Sequence, residues 1–344
     1  MIFWIALILT IVICSPFVVG ILLSAPTYDG PVSDHFNGKT FINPKGIKSQ
    51  GFSGVIKWMR ERTKGKWVER KGIMPGPRPL PRYDGGVRIT FVNHSTFLIQ
   101  VDGINILTDP VWSKRVSPFT FAGPKRMRPP GINFEDLPKI DLVLLSHNHY
   151  DHLDITTLKR IHDKYNPQYI VPLGVSAYLR RKKIDLVREL DWWQTTSFGT
   201  NFTIEAVPAQ HFSGRGTLDR DKTLWCGYAI HGNHGNIYFA GDTGYNPDTF
   251  KEIGERTKPT IAIIPIGAYK PEWFMSPIHC SPDEAVEIFK DLGSPQAIAS
   301  HFGTFPLADD GADDPTEGIR NAMKLKGVPE DRFLILKEGF AKDF

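Results

Sequence analysis

Cysteine is scarce: the 344 residues contain three, Cys14, Cys226 and Cys280, and none stands in CxxC spacing. That excludes a disulfide framework and leaves the redox compartment open. Charge is absent from the start of the chain, where no acidic or basic side chain precedes Asp29. The run from Ile2 to Leu23, "IFWIALILTIVICSPFVVGILL", has twenty-two such residues. At about 1.5 Å each they would cross the roughly 30 Å of a bilayer core, although Pro16 would kink the helix. A cleaved secretory signal normally begins with basic residues, and there are none, so residues 1–25 read as a retained N-terminal transmembrane anchor, with a cleaved signal as the alternative. Cys14 lacks the small residue before it that lipid attachment requires and reads as a small hydrophobe. The chain also shows no short repeat and no recognisable RNA- or DNA-binding module, so no nucleic-acid partner is expected.

A net charge of +4 is too small to announce a partner, but its distribution is uneven. Between Lys39 and Arg88 thirteen Lys and Arg stand against Glu61, Glu69 and Asp84, a local excess of ten. Residues 26–86, ending in "MPGPRPLPRYDGG", read as a basic connector rich in Pro and Gly. Trp58 and Trp67 among these charges suit a membrane interface; the alternative is an irregular wrap packed on the main domain. The nearest charges after the anchor, Asp29 and Asp34, are acidic, so the sequence selects no side of the membrane and gives no oligomeric state.

From Val87 the pattern becomes regular. "VRITFV" and "TFLIQV" read as strands, Asp102-Gly103 as a hairpin turn, and "INILTDP" as the returning strand. Further apolar runs follow at "IDLVLL", "QYIV", "FTIEAV", "LWCGYAI", "NIYFA", "TIAIIPI", "QAIAS" and "FLIL". Helical periodicity lies between several of them, most clearly in "SPDEAVEIFKDLG", with Ser281 as N-cap, Pro282 in the first turn and Gly293 as the stop. Asp154 is expected to cap "ITTLKRIHDKY". Hairpins followed by strands mixed with helices predict one α/β sandwich over residues 87–344, with two sheets face to face and helices outside.

The chemistry is concentrated at strand ends. "SHNHYDHLD" places His147, His149, Asp151 and His152 after "IDLVLL"; His211 follows "FTIEAVPAQ", Asp242 follows "NIYFAG", and His301 follows "QAIAS". If these strands lie side by side or in facing sheets, seven ligands converge on one cleft. His147 and His149, two apart in extended backbone, point to one side, and Asp151 and His152 can address a second point beyond the turn at Tyr150. Five imidazoles and two carboxylates suit borderline divalent ions such as zinc, iron or manganese, and a lone Asp in "GDTG" can bridge two of them. Asp151, holding one ion through one oxygen, can orient a nucleophilic water with the other and is the expected catalytic residue. His279, before a helix N-terminus, is a candidate contact for substrate phosphate. Tyr150 and Tyr245 flank ligands and are candidate cleft residues. His94 in "NHST" reads as a turn residue near the site, and His231 and His234 as hairpin residues.

"HNHYDH" resembles the HxHxDH signature of the metallo-β-lactamase fold superfamily. "ILTDPVWSKRVSPFTFAGPKR", "VPLGV", "ELDWW", "FAGDTGY", "IPIGAYKPEWFM" and "HFGTF" resemble its N-acyl-phosphatidylethanolamine-hydrolysing phospholipase D branch. The resemblance implies an αββα sandwich carrying two zinc ions, one held by His147, His149 and His211, the other by Asp151, His152 and His301, with Asp242 shared. It further implies a phospholipid substrate at a membrane surface, cleaved to phosphatidic acid and an N-acylethanolamine by a hydroxide bridging the metals. The segment after His211, "FSGRGTLDRDKTLW", and the "HFG" at His301 are like bacterial-type relatives and depart from the animal pattern beside the expected substrate channel. A metal-dependent nuclease or a lactone or ester hydrolase could use the same ligands, and a membrane-tethered metal-binding scaffold is the non-enzymatic alternative.

Overall fold

The computed structural model describes residues 17–199, 202–293 and 296–344. Most of the expected anchor, residues 1–16, lies outside the described residues; residues 17–23 are helical. Among the described residues no helix is long and apolar enough to cross a membrane.

Strands β1 (Val87–Asn93), β2 (Thr96–Val101), β3 (Ile104–Thr108), β4 (Leu142–Leu144), β5 (Gln168–Pro172) and β6 (Val187–Leu190) lie side by side in that order. The second sheet holds β7 (Thr195–Phe198), β8 (Phe202–Val207), β9 (Gly227–Gly232), β10 (Gly235–Phe239), β11 (Ile261–Pro265), β12 (Gln296–Ser300) and β13 (Phe333–Leu334), again neighbours in sequence order. β14 (Ala341–Asp343) returns to pair antiparallel with β1. Each sheet therefore begins as an antiparallel meander and continues as parallel strands, across β3–β4 in one and β10–β11 in the other.

Alternation along the strands explains the layering. In β1, Val87, Ile89 and Phe91 face the second sheet and join the central core with Ile204, Tyr228, Ile237 and Ile263. Leu98, Leu107 and Val143 face outward and are covered by Leu158 and Ile161 of a helix over Ile155–Tyr165. Helices Pro247–Thr257, Pro282–Asp291 and Asp314–Leu325 cover the other sheet. Ser281 closes a capping box with Glu284, Pro282 occupies the first turn and Gly293 follows the stop with φ +60°. Asp154 accepts from Thr156 and Thr157 N–H as the cap of its helix. Asp102 and Gly103 both have positive φ, as a tight hairpin between right-twisted strands requires. Cys226 and Cys280 are free and buried.

The basic segment is a wrap. Trp58 stacks on Phe274 at 4.9 Å and donates to Asp309, while Trp67 donates to the Asp310 carbonyl. Both indoles thus pack on the domain, the arrangement of the irregular wrap, and both remain partly exposed. The Pro-rich stretch is fastened too: Gly76 N–H donates to Gly131, Gln100 and Asn105 donate to the carbonyls of Leu80 and Pro81, and Arg82 pairs with Asp141. With Gly76 bonded to a loop and its Leu80 and Pro81 carbonyls bonded to side chains of β2 and β3, this stretch is a strap held on the domain.

Candidate metal centre

The strand ends do converge. His147, His149 and His152 leave β4, His211 follows β8, Asp242 follows β10 and His301 follows β12, so both sheets deliver side chains to one edge of the sandwich. The turn at Gly241 is possible because it has φ +63° and because an added Cβ there would lie 2.6 Å from Ser146 Cβ. His94, Asp109 and His301 also adopt positive φ, a costly conformation for non-glycine residues.

Ligand atoms form overlapping groups, each within 4.8 Å: His147, His149 and His211 in one, His94, Asp151, His152 and His301 in another, with Asp242 joining His147 and His152, and His211 and His279. His149 Nδ1 stands 2.8 Å from His147 Nε2 and 3.3 Å from His211 Nε2. On the other side, His152 Nε2 is 3.3 Å and His301 Nε2 3.4 Å from Asp151 Oδ2. Asp242 Oδ2 faces both halves, 3.0 Å from His152 Nε2, 3.2 Å from His301 Nε2 and 3.8 Å from His211 Nε2.

The tautomers are set from outside. His211 Nδ1 faces the Ile278 carbonyl at 2.7 Å, which can only accept, so the proton is on Nδ1 and Nε2 presents a lone pair. His152 Nδ1 donates to Asp109 at 2.7 Å, again turning Nε2 inward. His152 Nε2, both His301 nitrogens, His279 Nδ1 and Asp242 Oδ1 are buried without a hydrogen-bond partner. Unpartnered buried polar atoms in such number are costly unless a bound group gathers them, and imidazole nitrogens with carboxylate oxygens fit a borderline divalent ion that displaces the protons.

Charge agrees with that fit. Burial pushes His147 and His211 well below the ordinary histidine range and His149 to about 3, leaving all three neutral and able to ligate. Burial alone would raise Asp151 and Asp242, but His152 and His301 hold both well below the carboxylate range. Burial opposes charge on His152, yet Asp242, Asp151 and Asp109 pull it well above its ordinary value, and the carboxylates bring His301 to about 9. This half of the site demands positive charge, which a divalent ion supplies more compactly than protons.

The remaining predicted residues divide. His279 is buried at the same cleft, its Nδ1 4.0 Å from Asp242 Oδ2, and burial pushes it to about 4. The Tyr150 ring lines the cleft beside His149, with its hydroxyl donated to the Arg215 carbonyl at 3.0 Å. Tyr245 is not brought to the cluster: its hydroxyl donates to Asp291 at 2.7 Å and its ring stacks on Phe250. His94 is a turn residue, as read, and its Nε2 lies 3.0 Å from Asp151 Oδ2, which fixes that carboxylate. Sequence reasoning passed over Asp109. It ends the run "INILTDP" just as the proposed ligands end theirs, which is the signal that could have found it.

Two kinds of comparison place the chain. Residues 104–302 match the Beta-lactamase superfamily domain. The chain is 38% identical over 315 residues to the N-acyl-phosphatidylethanolamine-hydrolyzing phospholipase D 1 of Caenorhabditis elegans, covering 83% of this chain and 88% of that one. It is 39% identical over 248 residues to the mitochondrial N-acyl-phosphatidylethanolamine-hydrolyzing phospholipase D of Saccharomyces cerevisiae, covering 70% of this chain and 53% of that one. The structure of Igni18, a metallo hydrolase from Ignicoccus hospitalis, superposes with TM-score 0.58 at 24% identity over 75% of this chain and 98% of its own, a likeness of fold. The scaffold reading is set aside: the chain belongs to the metallo-β-lactamase superfamily, as a metal-dependent hydrolase in the group that includes the nematode phospholipase D.

Proposed function

We propose that the protein hydrolyses N-acylphosphatidylethanolamine-like glycerophospholipids at a membrane surface, releasing phosphatidic acid and an N-acylethanolamine, with two divalent ions, zinc in the first instance. The observation that carries this reading is the shape of the cleft. A cavity of about 310 Å³ is lined by His149, Asp151, Asp242 and His279 together with the apolar Val55, Trp58, Phe212, Phe274, Met275, Ile278 and Leu307, and its remaining polar lining is Ser49, Gln50 and Arg220. Candidate metal ligands beside a mainly apolar wall, with a single cation, match a phosphodiester carrying acyl chains better than the polyanionic backbone of a nucleic acid.

In this reading His147, His149 and His211 hold one ion, Asp151, His152 and His301 the other, and Asp242 is shared. Bound divalent ions supply Lewis acidity and lower the pKa of water towards 7. Asp151 is positioned through Oδ2 by His94, His152 and His301, while its Oδ1 makes no hydrogen bond among the described residues and is free to orient the attacking water. Neutral His279 can donate one N–H to a phosphate oxygen. The apolar walls exclude competing water and align the chain-bearing end of the substrate.

Membrane association rests on residues 1–25 and on apolar side chains left in solvent, among them Phe17, Leu22, Phe52 and Met59. On that division residues 26–86 form the strap and residues 87–344 the hydrolase. The test is hydrolysis in mixed micelles by metal-quantified protein, with products resolved by mass spectrometry. Phosphatidic acid plus N-acylethanolamine, lost in His147→Ala, is the expected result. A fully metal-loaded protein that cleaves oligonucleotides or lactones and leaves the lipid intact would replace the substrate assignment.

A further inference from the structure

A second and larger cavity, about 590 Å³, lies beside the cleft, between the end of the 17–23 helix, the loop after β3 and helix Val175–Arg181. Its charged lining is one-sided. Lys114, Arg115, Arg181, Lys182 and Arg215 face it against a single acid, Asp154. Asp154 forms no ion pair with them; its oxygens accept from Trp112, Ser113, Thr156 and Thr157, and one negative charge stands against five positive ones. Among the described residues none of the five cations has a carboxylate within ion-pair distance.

Arg215 is the most telling of them. It is 7% exposed, and its guanidinium is clamped 3.9 Å from the Tyr150 ring centre and 4.8 Å from that of Tyr178. One of its terminal nitrogens donates to the carbonyls of Asn148 and Leu153, and its Nε is buried with no partner. A buried guanidinium with an unmet donor, inside a cavity of like charges, is unfavourable unless an anion completes it. The cavity focuses positive potential on whatever enters.

The rim says which anion. Leu22 is 79% exposed on one side, and Phe121 is 78% exposed where it packs against Phe119 on the other. Residues 2–16, which precede Leu22 in the sequence, carry no charged side chain. A soluble phosphate has no use for an apolar collar, whereas a lipid sets its headgroup among cations and its chains along apolar side chains. We propose that this cavity seats the headgroup of an anionic phospholipid, separate from the hydrolytic cleft, and holds the cleft mouth against the bilayer. Tyr150 and Arg215 line this cavity and also a neighbouring hollow that has His149, Asp151, Phe212 and Arg220 in its wall, residues that line the hydrolytic cleft as well, so a seated headgroup would brace the wall next to His149 and Asp151.

The test measures binding without turnover, so it stands whether or not the hydrolytic reading survives. Full-length, metal-loaded protein is partitioned onto vesicles of phosphatidylcholine alone or mixed with phosphatidic acid, which has no diester to cleave. Paired Arg181→Ala and Lys182→Ala substitutions should lower partitioning onto the anionic vesicles on the order of tenfold. Lys114→Ala, on the opposite wall, should lower it in the same direction. Lys251→Ala with Lys324→Ala, the same charge change on the far helices, should shift it less than about twofold. Equal losses in the cavity and control variants would reduce the effect to diffuse attraction and overturn the site. Inorganic phosphate that displaces the wild-type protein from vesicles and raises the melting temperature of wild type alone would make it a soluble-anion site, and the lipid assignment would fall.

Discussion

Asp109 is fully buried, with one oxygen on the Ser146 N–H and the other shared by the Ser146 hydroxyl and His152 Nδ1. It touches no substrate; it holds His152 in the tautomer that presents Nε2. Asp109→Asn should therefore weaken metal binding at the His152 half by about 10- to 100-fold, read by competition with a metal indicator and by loss of one ion before the other. His35 offers a pH test away from the ligands. Its ring lies 2.5 Å from Asp34 and 2.6 Å from Asp191 and stacks on Trp192, fastening the first part of the strap. Burial by itself lowers its pKa, but Asp191 and Asp34 raise it above the ordinary 6.5. The raised value means that its contribution is complete below about pH 6.5 and is lost as pH climbs through the folded value. The melting temperature of wild type should thus converge on that of His35→Gln between neutral and alkaline pH, and a gap that stays constant would refute the assignment. The contrast between residues shows what a sequence reveals. His147 to His152 stand out because five titratable groups crowd one turn, whereas Asp109 and Arg215 are single residues whose meaning lies in partners 37 to 67 positions away.

At the scale of elements, the apolar runs were legible because both faces of the central strands are buried, as in β4 and β11. The strands that escaped notice are edge pieces. "VREL" and "TTSF" expose one face, and "AKD" is exposed throughout, so none carries a run. The helix Phe52–Glu61 shows the same limit. Its inner residues, Val55 and Trp58, pack against the group around Phe274 and Met275, and only the structure shows that Phe52 and Met59 are then left outside at 80% and 67% exposure. If that outer stripe meets lipid beside the cleft, Phe52→Ser with Met59→Ser should slow hydrolysis of bilayer substrate several-fold and leave a short-chain, monomeric diester unaffected. Equal loss on both substrates would assign the stripe to folding. The capping box is a purely structural control: Ser281→Ala should cost about 1 kcal/mol of stability, seen in denaturant unfolding, without altering metal content.

For the whole molecule, two half-symmetric sheets bring ligands from β4, β8, β10 and β12 to one edge, so folding and assembly of the site are the same event. Ions that bind only the folded chain stabilise it by mass action, and chelation should lower the melting temperature in proportion to the logarithm of free metal. The same edge carries the apolar cleft, the cationic cavity and the end of the 17–23 helix, which is the arrangement a lipid hydrolase needs. The convergence of the candidate ligands at that edge was legible in the sequence; the strap, the cavity and the wall formed by Arg215 needed the structure, because they are made from segments far apart in the chain. In the proposed reaction water adds at phosphorus, with Asp151 and the two histidine groups around it. Hydrolysis of an N-acylphosphatidylethanolamine in water enriched in oxygen-18 distinguishes the point of attack. Addition at phosphorus leaves one heavy oxygen in the phosphate of the phosphatidic acid and none in the N-acylethanolamine; label in a released fatty acid would mean attack at an acyl carbonyl and would overturn the proposal.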